Sequence, residues 1–199
     1  MNIFKDLSFK KVYPFILIVC GIVGILASSI LTIEKIKIAE NPNYVPSCTV
    51  SPVVACSPVI GSWQGKAFGF PNPFIGIFGF ACVLTVGMTL LAGAAIPRRW
   101  YWLTFQLGSL FGLFFISWLI SQSLYDIGKL CMYCMVVWGV TIPVFWTTLA
   151  YNIKNKHLNI RPKLDEFLSN NYGKLIAVSY IIVITMILTR FSEYFYSLI

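Results

Sequence analysis

Five apolar segments, each about twenty residues long, dominate this sequence and limit what it can fold into. They cover residues 13–33, 73–96, 100–124, 131–151 and 174–196. Each segment predicts a transmembrane helix, because about 20 apolar residues in a helix cross about 30 Å of hydrocarbon. The mean hydropathy of +0.79 agrees, and only 11% of the residues are charged, whereas soluble domains have about 25%. We therefore predict an all-α, polytopic membrane protein.

The distribution of basic residues predicts the orientation of these helices. Ten of the fifteen Lys and Arg residues would lie on one side, namely before the first segment, between the second and third, and around the loop after the fourth. Short loops rich in Lys and Arg remain in the cytoplasm, so the amino terminus is expected there. Residues 34–72 and the turn at residues 125–130 are then extracytoplasmic. The formal net charge of +8 is thus a topology signal, and we expect no nucleic-acid partner.

Two cysteine pairs fall on the same predicted side of the membrane: Cys48 with Cys56, and Cys131 with Cys134. Cys131 opens an apolar segment, where the unpaired N–H groups and the dipole of a helix amino terminus stabilise a thiolate. The first pair lies in a Pro-rich and Ser-rich loop that we expect to be flexible and exposed. One of its cysteines can then meet a soluble partner while the other exchanges with the second pair. The two pairs together predict a relay of electrons in a compartment that permits disulfides.

Other roles for these cysteines also fit the residues. Each pair can form a static disulfide, and four thiolates can bind a structural zinc ion. Paired zinc ligands usually have two to four residues between them, whereas seven residues separate Cys48 from Cys56, and the one histidine, His157, is predicted on the opposite side. We therefore predict no metal site. Cys20 and Cys82 lie within apolar segments, and we expect them to be packing residues.

A thiol oxidoreductase in a membrane needs a second substrate, and a lipid-soluble quinone is the simplest one, since the sequence has no nucleotide-binding fingerprint or haem motif. A four-helix bundle can hold an apolar ring between its helices. Ser62 and Asn72 can donate hydrogen bonds to a quinone carbonyl, unless they serve as helix caps. The segment containing Phe68 can cover the bundle. Trp138, about one helical turn from Cys134, can stack on the ring, or it can be a core or interfacial aromatic residue.

Several of these residues form a joint pattern. Cys48, seven residues and Cys56 are followed by Ser62, Gly65, Phe68-Gly69 and Asn72, and later by Cys131-x-x-Cys134. The pattern resembles that of the vitamin K epoxide reductase family over about residues 13–151. The resemblance implies a four-helix transmembrane bundle around a quinone (ubiquinone or menaquinone), plus a peripheral fifth transmembrane helix. Residues 1–152 would be the redox domain, with its cysteine loop at 34–72, and residues 153–199 a cytoplasmic loop and the fifth helix.

The resemblance also implies roles for the individual cysteines. Cys134 would face the quinone in a charge-transfer or covalent contact, and Cys131 would exchange with Cys56. Cys48 would receive the electrons of a partner protein. The chain would lie in a bacterial cytoplasmic membrane as a multi-pass protein.

Further features of the sequence bear on the substrate and the partner. Ser62 and Asn72 correspond to family positions near the quinone, and with Phe68 they are the expected binding residues. Trp138 is a fourth binding candidate, but it stands where the animal enzymes have a tyrosine that contacts vitamin K, which weighs against the epoxide as a substrate. Some bacterial relatives continue into a thioredoxin-like domain, whereas this sequence ends at Ile199. The expected partner is therefore a separate, secreted thioredoxin-fold (DsbA-like) protein.

The sequence thus predicts a quinone-dependent thiol-disulfide oxidoreductase that promotes disulfide bond formation. It would oxidise the thioredoxin-fold partner and pass two electrons through Cys48/Cys56 and Cys131/Cys134 to a membrane quinone. One alternative uses the same cysteines in the reductive direction, on a quinone or on vitamin K epoxide. The other is a non-catalytic membrane scaffold whose cysteines are structural.

Overall fold

The computed structural model describes residues 3–41, 43–94, 96, 98–158, 161–192 and 194, with the side chains up to residue 8 left aside. Within these residues the helices are α1 (Ile3–Glu40), α2 (Cys56–Gly61), α3 (Pro73–Leu91), α4 (Arg99–Ser121), α5 (Met132–Lys154), α6 (Pro162–Asn170) and α7 (Tyr172–Arg190). A 3-10 turn at Gln64–Lys66 follows α2, and a π-helical segment, Gln122–Ile127, continues α4. Of these helices α1, α3, α4, α5 and α7 are long and apolar enough to cross a membrane. The prediction of an all-α, polytopic membrane protein is confirmed.

The predicted segments differ from the helices mainly at their ends. The first helix continues beyond residue 33 to Glu40, because its outer turns still cover apolar residues of the cysteine loop. The second helix ends at Leu91 rather than at residue 96, since Gly93 adopts a φ of 79° that stops it. The predicted end of the fifth segment, residue 196, lies outside the described residues. The short helix α6 and the π-helical segment were not predicted.

Glycines allow α1 and α3 to pack closely. A Cβ atom on Gly21 would lie 2.8 Å from Cβ of Leu84, and one on Gly87 would lie 3.0 Å from Cβ of Leu17. Small residues at such positions let the backbones of membrane helices approach each other. α1 also packs on α5, and α5 packs on α4. These four helices form the predicted bundle.

The fifth long helix, α7, packs on the outside of α5. Trp146 Nε1 donates a hydrogen bond to Ser179 Oγ at 3.0 Å, and the Tyr180 hydroxyl donates to the Gly139 carbonyl at 2.5 Å. None of the described residues of α7 is buried. The helix is therefore peripheral, as predicted.

One end of the bundle is closed by paired polar groups and stacked rings. The Tyr13 and Thr148 hydroxyls are 3.0 Å apart, and Asn152 Nδ2 donates to the Trp102 carbonyl at 3.2 Å. The Tyr151 ring lies 4.6 Å from the Tyr13 ring and 4.5 Å from the Trp102 ring, between centroids. We refer to these five residues as the aromatic end of the bundle.

Candidate redox site

A backbone bridge joins the two segments that carry the cysteine pairs. Residues 53–55 and Leu130 form an isolated parallel β-bridge, with one hydrogen bond in each direction, both of 2.9 Å. Cys56 directly follows one side of the bridge, and Cys131 directly follows the other. The bridge therefore places these two cysteines side by side. Sequence reasoning missed it, because a single long-range backbone pairing has no periodic pattern.

Three of the cysteines are buried in one apolar cluster, which we call the cysteine cluster. It comprises Leu31, Cys48, Cys56, Ile60 and Cys131. Leu31 belongs to α1 and Ile60 to α2, so both helices cover the cysteines. In this structure Cys48 and Cys56 form a disulfide, whereas Cys131 is a free thiol.

The burial of Cys48 corrects a prediction. We expected an exposed, flexible loop, but the exposed fractions of Cys48 and Cys56 are 1% and 0%. The reason is that α1 extends past the predicted membrane boundary, and Ile38 in its outer turns packs against the cysteine cluster. A partner protein can reach this disulfide only after the loop moves.

Cys131 occupies the amino-terminal cap of α5, which begins at Met132. This position confirms the prediction that the Cys131-x-x-Cys134 motif opens the fourth transmembrane helix. The pKa of the Cys131 thiol is lowered, chiefly by the hydrogen bond from the Cys134 thiol. Burial opposes this shift, while the backbone N–H groups of Cys134 and Tyr133 add to it. The expected thiolate stabilisation is present, although a side chain rather than the helix terminus is its main cause.

A cavity of about 980 Å³ lies between α1, α3, α4 and α5, beneath α2 and the 3-10 turn. Cys134 and Trp138 line it, whereas Cys131 is not among its described lining residues. The two cysteines of one motif therefore face different surroundings, since Cys131 faces the cysteine cluster and Cys134 faces the cavity. The cavity is at the upper end of the size range of ligand pockets, about 300–1,000 Å³.

The predicted polar contacts, Ser62 and Asn72, both line the cavity, but each has local partners. The Ser62 hydroxyl donates to the Val59 carbonyl at 2.8 Å and accepts from Gly65 N at 3.2 Å. Its one hydrogen is thus used at the end of α2 in this structure, which fits the helix-cap alternative, and a contact of Ser62 with a quinone stays a prediction. Asn72 Nδ2 donates to the Gln64 carbonyl at 2.6 Å. An amide nitrogen carries two hydrogens, so Asn72 retains one for a ligand.

Phe68, the remaining predicted contact, is 52% exposed and is not among the described lining residues. Its ring packs on Phe115 at 5.5 Å and on Phe111 at 6.4 Å, between centroids. Both of these partners do line the cavity. Phe68 therefore supports the aromatic wall from outside in this structure, and its direct contact with a quinone stays a prediction.

Two polar residues that the sequence did not single out also line the cavity. Lys35 Nζ donates to the Ile60 carbonyl at 3.0 Å and to the Gly65 carbonyl at 3.3 Å, which fixes the cover of α2 and the 3-10 turn. Gln64 is buried and its Nε2 donates to the side chains of Gln122 and Asp126. Apolar spacing on α1 gave no reason to pick Lys35, and Gln64 is positioned by a contact that is distant in sequence.

The cavity fits a quinone by its chemistry. Its lining is mainly apolar, as a ring and an isoprenoid tail require, and a free thiol, that of Cys134, lies on its wall. Asn72 has a free amide hydrogen for a carbonyl oxygen, and Trp138 offers an aromatic face. These three residues would hold the ring near the thiol.

A comparison with known protein families agrees with this geometry. The vitamin K epoxide reductase family matches residues 15–149, which is more than half of the chain and contains both cysteine pairs. Members of this family are oxidoreductases and are generally associated with quinones. Together with the five candidate membrane helices, the match makes this a multi-pass membrane oxidoreductase. The chain belongs to the vitamin K epoxide reductase family.

Proposed function

We propose that this protein is a quinone-dependent thiol-disulfide oxidoreductase that promotes disulfide bond formation. It oxidises a separate, secreted thioredoxin-fold (DsbA-like) protein and transfers two electrons to ubiquinone or menaquinone. The observation that carries the proposal is the division of the second cysteine pair. Cys131 lies beside Cys56 in the cysteine cluster, while Cys134 lines the cavity, so the pair connects a disulfide to an apolar binding site.

The first step takes two electrons from the partner's dithiol to the Cys48–Cys56 disulfide. A partner thiolate attacks Cys48 Sγ, and Cys56 leaves as a thiolate. The second partner thiol then closes the partner's disulfide and releases Cys48, so that two thiols remain on this chain. Val45 and Val50, 68% and 69% exposed, flank the buried Cys48 and offer apolar contacts to a partner that opens the loop.

The second step passes the electrons inward, starting with Cys131 and Cys134 joined as a disulfide. The Cys56 thiolate attacks Cys131 Sγ and Cys134 leaves. Cys48 then attacks Cys56, which restores the Cys48–Cys56 disulfide and releases Cys131. A thiol with a lower pKa is a better leaving group, so the lowered pKa of Cys131 favours this direction.

The third step returns Cys131 and Cys134 to a disulfide. A bound quinone supplies an acceptor for two electrons and two protons. Cys134 is the thiol that faces the cavity, so it gives up the electrons there, and the Cys131 thiolate closes the bond to Cys134 Sγ. Asn72 and Trp138 orient the ring, and the apolar wall excludes water from the exchange.

The distribution of charge supports the proposed orientation in a bacterial cytoplasmic membrane. Basic residues border the aromatic end of the bundle, among them Arg99, Lys154 and Lys156, and such loops remain in the cytoplasm. The cysteine pairs then face the outside. Alkylation of whole cells with a membrane-impermeant thiol reagent should label a Val50→Cys variant, because Val50 is an exposed residue of the same loop, and labelling that requires cell lysis would contradict this orientation.

Disulfide formation in a bacterium that lacks its own quinone-linked thiol oxidase tests the proposed function. The wild-type chain, expressed with a candidate thioredoxin-fold partner from the same source, should restore disulfides in secreted proteins, and the Cys134→Ala variant should not. Cys82→Ala is a matched control, because Cys82 also lines the cavity but belongs to neither pair. Absence of rescue by wild type, at normal membrane levels and with a working partner, would contradict the proposal.

The direction of the reaction needs a separate assay. Purified protein with a small dithiol should reduce a quinone and leave vitamin K epoxide unchanged. Turnover of the epoxide at a rate similar to that of the quinone would instead support the reductive direction.

A further inference from the structure

Glu34 is a buried carboxyl group next to the loop disulfide. Its side chain is 4% exposed, and Oε1 accepts a hydrogen bond from Ser47 Oγ at 3.2 Å. Ser47 directly precedes Cys48 in the chain. The other oxygen, Oε2, is buried and has no hydrogen-bond partner among the described residues. Buried polar atoms nearly always have partners, so this oxygen needs an explanation.

The face of α1 that carries Glu34 is the face that covers the disulfide. Leu31, three positions earlier, is part of the cysteine cluster, and Ile38, four positions later, packs against it. Residues three and four positions apart lie on the same side of a helix. Glu34 therefore lies between two residues that contact the cysteine cluster.

The neighbouring cations are engaged elsewhere. Lys35 Nζ donates to the Ile60 and Gly65 carbonyls, and Lys37 Nζ lies 5.4 Å from the centre of the Tyr44 ring. The other titratable groups at the cluster are the thiols of Cys131 and Cys134, the half-buried Tyr133, and the Cys48–Cys56 couple. The cysteine cluster beside Glu34 thus contains thiols that change their protonation during electron transfer.

The chemistry at this disulfide requires a proton. Opening the disulfide by attack on Cys48 releases Cys56 as a thiolate, and Cys56 is 0% exposed. An unpaired charge in apolar surroundings is costly, and water is excluded from this position. A nearby group that supplies a proton as the thiolate forms would remove this cost.

We propose that Glu34 is the proton donor and acceptor of the Cys48–Cys56 couple. When the partner's sulfur bonds to Cys48 and the bond to Cys56 breaks, the Glu34 carboxyl gives its proton to the Cys56 thiolate. When Cys56 next attacks Cys131, it returns that proton to the Glu34 carboxylate. One proton thus moves back and forth in each cycle, and the electron pairs move only between sulfurs. The place of this step in the relay rests on the proposed function, whereas proton exchange at the disulfide can be tested without it.

The test isolates the couple in the full chain. In a Cys131→Ala, Cys134→Ala background, the rate at which dithiothreitol reduces Cys48–Cys56 is followed by thiol alkylation and mass spectrometry between about pH 5 and pH 9. Glu34→Gln is the main variant, because a glutamine oxygen can still accept from Ser47 but cannot exchange a proton. Ser47→Ala removes that hydrogen bond and keeps the carboxyl group. Glu40→Gln, an exposed residue of the same helix, is the matched control.

Glu34→Gln should slow the reduction by about 10²-fold, which is the low end of general acid–base effects. Its rate should then follow only the thiolate fraction of dithiothreitol, rising about tenfold for each pH unit below the pKa of that thiol. Wild type should rise less steeply, because a step that also takes up a proton gains less from an increase in pH. Ser47→Ala and Glu40→Gln should keep the wild-type pH profile.

Two results would overturn the proposal. A Glu34→Gln rate close to that of wild type, or a loss as large in Ser47→Ala, would show that Glu34 serves only to hold the loop. If Glu34→Gln fails to fold, the wild-type profile decides alone, and a full tenfold rise per pH unit would exclude proton donation. None of these readouts uses the quinone or the partner protein, so a failure of the proposed function leaves them interpretable.

Discussion

The two ends of the four-helix bundle differ in the chemistry of the polar groups that they bury. At the aromatic end the Tyr13 hydroxyl is paired with Thr148, and Asn152 Nδ2 is paired with a backbone carbonyl, whereas the neutral amide oxygen of Asn152 is buried without a partner among the described residues. At the other end lie a reactive thiol, Cys134, a cavity, and a buried carboxylate oxygen of Glu34 without a partner. Hydroxyl and amide groups do not exchange protons or electrons under ordinary conditions, whereas a carboxyl group can exchange a proton and a thiol can exchange both. The aromatic end therefore holds the helices together so that the cysteine end can react.

The largest expected difference between the two ends concerns their thiols. Cys134→Ala should lower quinone reduction by about 10³-fold or more, since it removes a group that exchanges electrons. Cys20→Ala, in the apolar core that includes Tyr13 and Trp102, should leave the rate within about twofold, because surrounding apolar groups make this thiol a packing residue. Quinone absorbance in detergent, with a small dithiol as reductant, measures both rates.

A comparison of Cys48→Ala with Cys134→Ala, both at the cysteine end, tests the order of the relay. Cys48→Ala should retain quinone reduction with a small dithiol and lose it with the protein partner. Equal behaviour of Cys48→Ala and Cys134→Ala with the small dithiol would show that the assigned order of the cysteines is wrong.

The next prediction concerns stability rather than rate. Asn152→Ala removes the hydrogen bonds to the Trp102 carbonyl and to Gln106 Oε1 and leaves the buried Gln106 oxygen without this partner, which costs about 1–3 kcal/mol. We expect a lower midpoint of thermal unfolding in detergent and nearly unchanged quinone reduction at low temperature. Ser117→Ala, on the exposed side of α4, is the control. A loss of activity without a loss of stability would mean that the two ends are not separate in function.

A further prediction compares two polar residues of the cavity, Asn72 and Ser62. Asn72→Ala should raise the KM for quinone about fivefold, the equivalent of about 1 kcal/mol for one hydrogen bond. Ser62→Ala should change it less, because the Ser62 hydroxyl already donates to Val59. A larger effect of Ser62→Ala would contradict the capping role that the structure gives it. If the KM for quinone is unchanged in both variants, Asn72 only shapes the loop and does not bind the quinone.

The sequence allowed much of the fold to be predicted, because its signals are local. The apolar segments located the long helices, and the position of Cys131 before an apolar run predicted its place as the cap of α5. What was missed depends on contacts between distant residues. The bridge from residues 53–55 to Leu130 and the hydrogen bonds of Lys35 each join segments that have no shared periodicity. The burial of Cys48 likewise depends on packing by Leu31 and Ile38 of α1, which are distant from it in sequence, so a Pro-rich and Ser-rich composition predicted exposure wrongly.

The smallest expected effect lies near the aromatic end. His157 stacks on Trp102, with ring centroids 5.7 Å apart, and its pKa is lowered by burial and by the charge of Arg99. The unfolded chain then binds more protons than the folded one between the two pKa values, so stability rises with pH. This contribution is fully present above the unfolded pKa of about 6.5 and is lost as the pH falls through the folded value. The midpoint of thermal unfolding should rise slightly from pH 5 to pH 8, about the range in which histidine titrates, and His157→Gln should reduce this rise. The rate of quinone reduction by His157→Gln, relative to wild type, should stay constant with pH. A pH-dependent change in that relative rate would show that protonation at this end reaches the cysteines, and the separation of the two ends would then be wrong.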